Sequence, residues 1–132
     1  MAVVQLPQIV LVVEDDDLVR MLAVDVMHEA GFVAIEAADA DEALVILEHR
    51  ADIALIFTDI DMPGSMDGLK LAHAVRNRWP PIKIVIVSGQ SKLSDSQLPS
   101  DSRFFAKPYA VSQMICELRM LLPLPPGTGA ML

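Results

Sequence analysis

Ile9-Val10-Leu11-Val12-Val13 runs straight into Glu14-Asp15-Asp16-Asp17. The apolar run carries no alternation, so both faces of the segment must be buried, as in an inner strand of a parallel sheet. It breaks off at once into acid. Asp16 or Asp17 can cap a helix in which Leu18, Leu22 and Val26 recur at helical spacing and which Gly31 ends. The same pattern returns at Ile53–Phe57, which runs into Thr58-Asp59, and at Ile82–Val87, which ends at Ser88-Gly89.

Weaker elements fill the intervals. Phe32–Ala37 reads as a second strand, and Asp39 or Asp41 opens a helix with Ala43, Leu44 and Leu47 on its inner face. Leu71, Val75 and Trp79 mark a third helix, which Pro80-Pro81 terminates. Phe104-Phe105-Ala106 is a short fifth strand running into Lys107-Pro108, and Val111, Ile115, Leu118 and Leu122 form the inner stripe of a final helix. Between the fourth and fifth strands, the polar segment Gln90–Arg103 contains Pro99 and only Leu93 and Leu98 at a helical interval, so a short or irregular element is expected there. Strands alternating with helices predict an α/β fold: a doubly wound, five-stranded parallel sheet with helices on both faces.

A chain of 132 residues is one domain's worth. With 53% apolar residues and a mean hydropathy of +0.44, it has the means to build a core and is no disordered chain. A net charge of −8 argues against nucleic acid and favours cationic partners, metal ions included. The lone Cys116 cannot form an internal disulfide, which fits a reducing compartment. No stretch is long and apolar enough for a membrane span, and no secretory signal is visible. A cytoplasmic protein without membrane or nucleic-acid partners is expected.

Open parallel sheets bind ligands beyond the carboxyl ends of their strands. In this chain those ends carry Glu14 and Asp15, then Asp59, then Ser88, then Lys107. Carboxylates gathered in one crevice repel each other, and a cation must offset them. All-oxygen ligands suit Mg²⁺, which is small and hard and keeps several waters. Asp59 is also a candidate nucleophile, since carboxylates form acyl phosphates. Lys107 is the natural point charge for phosphoryl oxygens, and Ser88 can donate a hydroxyl hydrogen bond to the same group. Plainer readings stand beside these: helix caps among Asp15–Asp17, a turn residue at Ser88 and a solvated lysine at Lys107. Asp59 resists such a reading, because a carboxylate ending a buried apolar strand costs several kcal/mol (roughly) without a partner.

In sequence order, these motifs resemble the receiver domain of two-component response regulators. Val12-Val13-Glu14-Asp15-Asp16 resembles the family's acidic first-strand motif, and Asp59-Ile60-Asp61-Met62-Pro63-Gly64-Ser65-Met66-Asp67-Gly68 its phosphoacceptor loop. Val87-Ser88-Gly89 and Lys107-Pro108 match the other two signatures. The resemblance implies the flavodoxin-like strand order 2-1-3-4-5. It makes Asp59 the acceptor of a phosphoryl group from a histidine kinase or histidine phosphotransfer protein. Glu14, Asp15, Asp59 and the Asp61 backbone carbonyl would hold Mg²⁺. Lys107 and Ser88 would contact the phosphoryl group, and Ser88 with Phe104 would form the switch, although Phe104 also reads as an ordinary buried strand residue.

Two departures follow: the loop is one residue longer than the commonest form, with Ser65 inserted, and the fourth helix is short or irregular. With a receiver at 1–122 and a ten-residue tail at 123–132, no output domain is expected. The protein would then signal to a downstream protein by contact, or act as a relay or sink, as a monomer or weak dimer. It would be no enzyme beyond its own phosphoryl transfer and dephosphorylation. A pseudo-receiver that ignores phosphorylation is the alternative. A haloacid-dehalogenase-like phosphatase fits Asp59-Ile60-Asp61 only superficially, because Pro63 breaks that motif and the aspartate falls on the third strand. His28, His49 and His73 lie in predicted helices without zinc-site spacing.

Overall fold

The computed structural model describes residues 7–62, 67–89 and 95–123. Five parallel strands, β1 (Ile9–Val13), β2 (Val33–Ala37), β3 (Ile53–Asp59), β4 (Lys83–Ser88) and β5 (Ser102–Ala106), form one sheet in the order β2-β1-β3-β4-β5. The expected doubly wound, flavodoxin-like architecture is therefore the observed one. Among the described residues, four α-helices, α1 (Asp17–Glu29), α2 (Ala40–His49), α3 (Gly68–Arg78) and α4 (Val111–Leu121), cover its faces.

Each inner strand serves two cores, which explains the unbroken apolar runs. Leu11 and Val13 of β1 pack with Ile56, Ile84 and Ile86 beneath α2 and α3. Val10 and Val12 pack on the opposite face with Leu55, Phe57, Val85 and Val87 beneath α1 and α4. The edge strands β2 and β5 are only partly buried.

Helix starts follow the aspartates. Of the alternatives, Asp16 caps α1 by accepting from Val19 N at 2.9 Å, and Asp39 caps α2 by accepting from Glu42 N at 2.8 Å. Asp67 caps α3 in the same way. Gly31 closes α1 at φ 98°, a conformation that glycine adopts without Cβ strain.

Two inner stripes differ from expectation. Leu18 and Leu22 are 59% and 55% exposed, and α1 turns Ala23, Val26 and Met27 inward instead. The reason is geometric: each i+4 step advances about 40° around the helix, so Leu18 lies roughly 80° from Val26. In α4 the buried residues are Met114 and Leu118, followed by Leu122, while Val111 at the helix start is exposed. Cys116, on α4, is exposed.

Between β4 and β5 the described residues hold a single 3-10 turn, Asp95–Gln97, in keeping with the expected short element. The turn region is fastened to α3. Arg76 donates to the carbonyl oxygens of Ser100 at 2.7 Å and Asp101 at 3.3 Å, and His73 Nε2 donates to that of Gln97 at 2.7 Å. The inserted Ser65, part of segment 90–103 and most of the tail lie outside the described residues.

Gly68 opens α3 directly against the end of β3. A Cβ there would overlap the Asp59 carbonyl oxygen and come within 2.9 Å of Ile60 Cα. Backbone on both sides cannot yield as a side chain would. Gly68→Ala is expected to destabilise the fold by about 3 kcal/mol, measured by urea denaturation; an unchanged midpoint would show that α3 docks more loosely than described.

Candidate functional site

Strand register assembles the site. Val13 pairs with Thr58, so Glu14, the next residue, lies beside Asp59. Asp59 pairs with Val87, and Ser88 pairs with Ala106, which precedes Lys107. The Lys107 N–H donates to the Ser88 carbonyl oxygen at 2.9 Å, continuing the ladder past the strand ends. Four strand ends thus deliver Glu14, Asp59, Ser88 and Lys107 to one crevice. The expected strand-end residues do meet there.

Lys107 reaches from β5 across β4, about 10 Å in strand spacings. Its Nζ donates to Asp59 Oδ2 at 2.9 Å and to Glu14 Oε1 at 3.2 Å. Asp59 and Glu14 are each only 5% exposed. Two carboxylates so placed repel and are poorly solvated, and one ammonium offsets only one charge. Burial, reinforced by the neighbouring Asp59 and Asp15, pushes the Glu14 carboxyl up to about 7. The Asp16 N–H, donating to Glu14 Oε2 at 3.1 Å, opposes that rise. For Lys107, burial disfavours the charge, yet Asp59 and then Glu14 outweigh it and hold the ammonium above its usual range.

Backbone and side-chain donors shape the rest. The Asp61 N–H donates to Asp59 Oδ1 at 3.1 Å, so each Asp59 oxygen accepts from a different donor. Ser88 Oγ donates to Asp61 Oδ2 at 2.9 Å. Arg20 donates to the Glu14 carbonyl oxygen at 2.9 Å and pairs with Asp17 and Glu36, tying the end of β1 to α1 and β2. Neither the Ser88–Asp61 bond nor the Arg20 tie is foreseen by the sequence reading. Adjacency of β3 and β4 could have suggested the first, but nothing in the sequence marks the second.

Glu14, Asp15 and Asp59 each offer a carboxylate oxygen, and these atoms lie within 4.8 Å of one another. An all-carboxylate set of this kind, with Asp15 exposed at the mouth, fits a hard divalent cation. Phe104 is partly buried and packs against the core beneath α2 and α3. Beside the crevice, an apolar cleft of about 630 Å³ runs between α1 and the start of α4, lined by Val19, Leu22, Val26, Phe57, Pro108 and Val111.

Comparison with known proteins places these residues in context. The family model described as the response regulator receiver domain matches residues 10–118. The chain is 35% identical over 117 residues to the sensor kinase CckA of Brucella abortus, matching 86% of this chain but 12% of that much longer protein. It is 28% identical over 116 residues to the response regulator receiver protein CpdR of the same organism, covering 86% of this chain and 95% of CpdR. Among solved structures, a response regulator receiver protein from Sinorhizobium medicae superposes with a TM-score of 0.81 at 26% identity, covering 87% and 94% of the two chains. Among the described residues, no helix is long and apolar enough to cross a membrane.

The Glu14 shift carries a pH signature. Its carboxyl holds a proton in the folded chain up to about pH 7, but an unfolded glutamate releases it near 4.5. Between those values the folded state binds more protons, so this group's contribution to stability falls as pH rises through the window. Without divalent cations, Glu14→Gln should therefore gain stability relative to the parent from pH 5 to 7.5 in chemical denaturation. Parallel pH curves for the two proteins would contradict the burial of an ionisable Glu14.

Proposed function

Because this chain belongs to the response regulator receiver family, and receivers are signalling modules, we propose that it accepts a phosphoryl group on Asp59 and signals by protein contact or relay. The observation that supports this most is the setting of Asp59. It is a buried carboxylate at the end of β3, with Lys107 Nζ 2.9 Å from one oxygen and a crevice open to solvent through Asp15.

In the reaction, an Asp59 oxygen forms the new bond to phosphorus as the bond to the donor breaks. The donor nitrogen or oxygen leaves with the electron pair, and the product is an acyl phosphate. Lys107 is already oriented into the crevice by Asp59 and Glu14, so it can turn its ammonium to an incoming phosphoryl oxygen with little reorganisation. Ser88, at the end of β4, can give its hydroxyl proton to another. Glu14, Asp15, Asp59 and the Asp61 carbonyl would hold Mg²⁺, which when bound supplies positive charge against the phosphoryl oxygens.

The donor is a phosphohistidine of a kinase or phosphotransfer protein. Such a protein must cover the crevice and whatever borders it. That border includes Val19 and Leu22 of α1, exposed apolar residues that line the cleft together with Glu14 and Lys107. The Asp59 aspartyl phosphate would then bias Ser88 and Phe104 between two arrangements, a population shift driven by new charge-assisted bonds. A cytoplasmic location, where such donors act, fits this reading.

Acetyl phosphate with Mg²⁺ should add one phosphoryl group to the purified protein, read by intact mass. Asp59→Ala should gain none, and omission of Mg²⁺ should greatly slow the gain in the parent. Absence of the adduct, together with no Mg²⁺ binding in a titration, would favour a phosphorylation-independent pseudo-receiver. Turnover of generic phosphate esters would instead favour a phosphatase.

A further inference from the structure

We propose that Asp61 is a positioning residue that latches Ser88 in the resting state and competes with the phosphoryl group for its hydroxyl proton. The inference rests on the reading of Asp59 as the acceptor and adds a regulatory element to it.

Asp61 grips both neighbours. Its N–H donates to Asp59 Oδ1 at 3.1 Å, while its Oδ2 accepts from Ser88 Oγ at 2.9 Å. A serine hydroxyl has one proton to donate. Given to Asp61, it is not available to a phosphoryl oxygen, so the two acceptors exclude one another. Hydrogen bonds to a carboxylate are stronger than neutral ones, which makes Asp61 a serious competitor. Burial sharpens the choice. Ser88 is 2% exposed and must keep a partner, whereas Asp61 sits on the exposed rim, where water can take over when Ser88 leaves. The release is therefore affordable, and the contact works as a latch rather than a permanent brace.

The latch differs from simple charge repulsion between Asp61 and an incoming anion. Repulsion acts whether or not Ser88 has a hydroxyl; the latch acts only through it. A double-mutant cycle separates the two. The probe is the beryllium fluoride complex with Mg²⁺, which occupies the place of a phosphoryl group, with binding followed by ¹⁹F NMR. Asp61→Ala should tighten its binding by about threefold to tenfold in the parent. In the Ser88→Ala background the same substitution should have a much smaller effect.

An equal gain in both backgrounds would assign the effect to charge and overturn the latch. No gain in the parent background would also overturn it. If the parent itself binds no beryllium fluoride, and Asp59→Ala behaves identically, the acceptor reading fails and takes the latch with it.

Discussion

Two carboxylates, Glu14 and Asp59, lie side by side at the ends of adjacent apolar strands, nearly sealed from water, with one lysine between them. The arrangement is costly. A parallel sheet with two cores places β1 and β3 in its interior, so whatever ends them is poorly hydrated. Lys107 offsets part of the repulsion and is held in turn by both acids, but one positive charge is left facing more than one negative. Burial first, and then the neighbouring Asp59 and Asp15, raise the Glu14 carboxyl. The three clustered carboxylates of the crevice, Glu14, Asp15 and Asp59, fit a hard divalent cation.

The supports around the crevice are consistent with this economy of position. Gly68 lets α3 begin directly against the Asp59 carbonyl, and Arg20 braces the Glu14 carbonyl from α1. Arg76 holds the segment before β5 by the Ser100 and Asp101 carbonyl oxygens, and β5 carries Phe104 and leads to Lys107. Asp101 takes a positive φ of 62° in that segment, an uncommon conformation for a residue with a Cβ, with Arg76 reaching its carbonyl oxygen at 3.3 Å.

The sheet was legible because strands buried on both faces leave continuous apolar runs, and β1, β3 and β4 are such runs. The charged groups of the crevice were legible because parallel strands all point their carboxyl ends the same way, so Glu14, Asp59, Ser88 and Lys107 had to meet. Helix facing was harder to read. In α1 a leucine row outshone Ala23, whose small side chain carries little hydropathy signal, and the packing surface followed Ala23 and Met27. The Ser88–Asp61 bond was not legible either, since both residues have plausible roles alone and only the register of β3 against β4 brings them together. Arg20 and Arg76 bind carbonyl oxygens, which every residue has, so no pattern of residue types announces their partners.

If the crevice gathers its acids for a divalent cation, as proposed, Mg²⁺ stabilises the fold through Asp59. The most direct measurement is thermal unfolding against Mg²⁺ concentration, for the parent and for Asp59→Asn. A saturable rise in the parent's Tm, with little or none in Asp59→Asn, is expected. An equal rise in both proteins, or none in the parent, would contradict it.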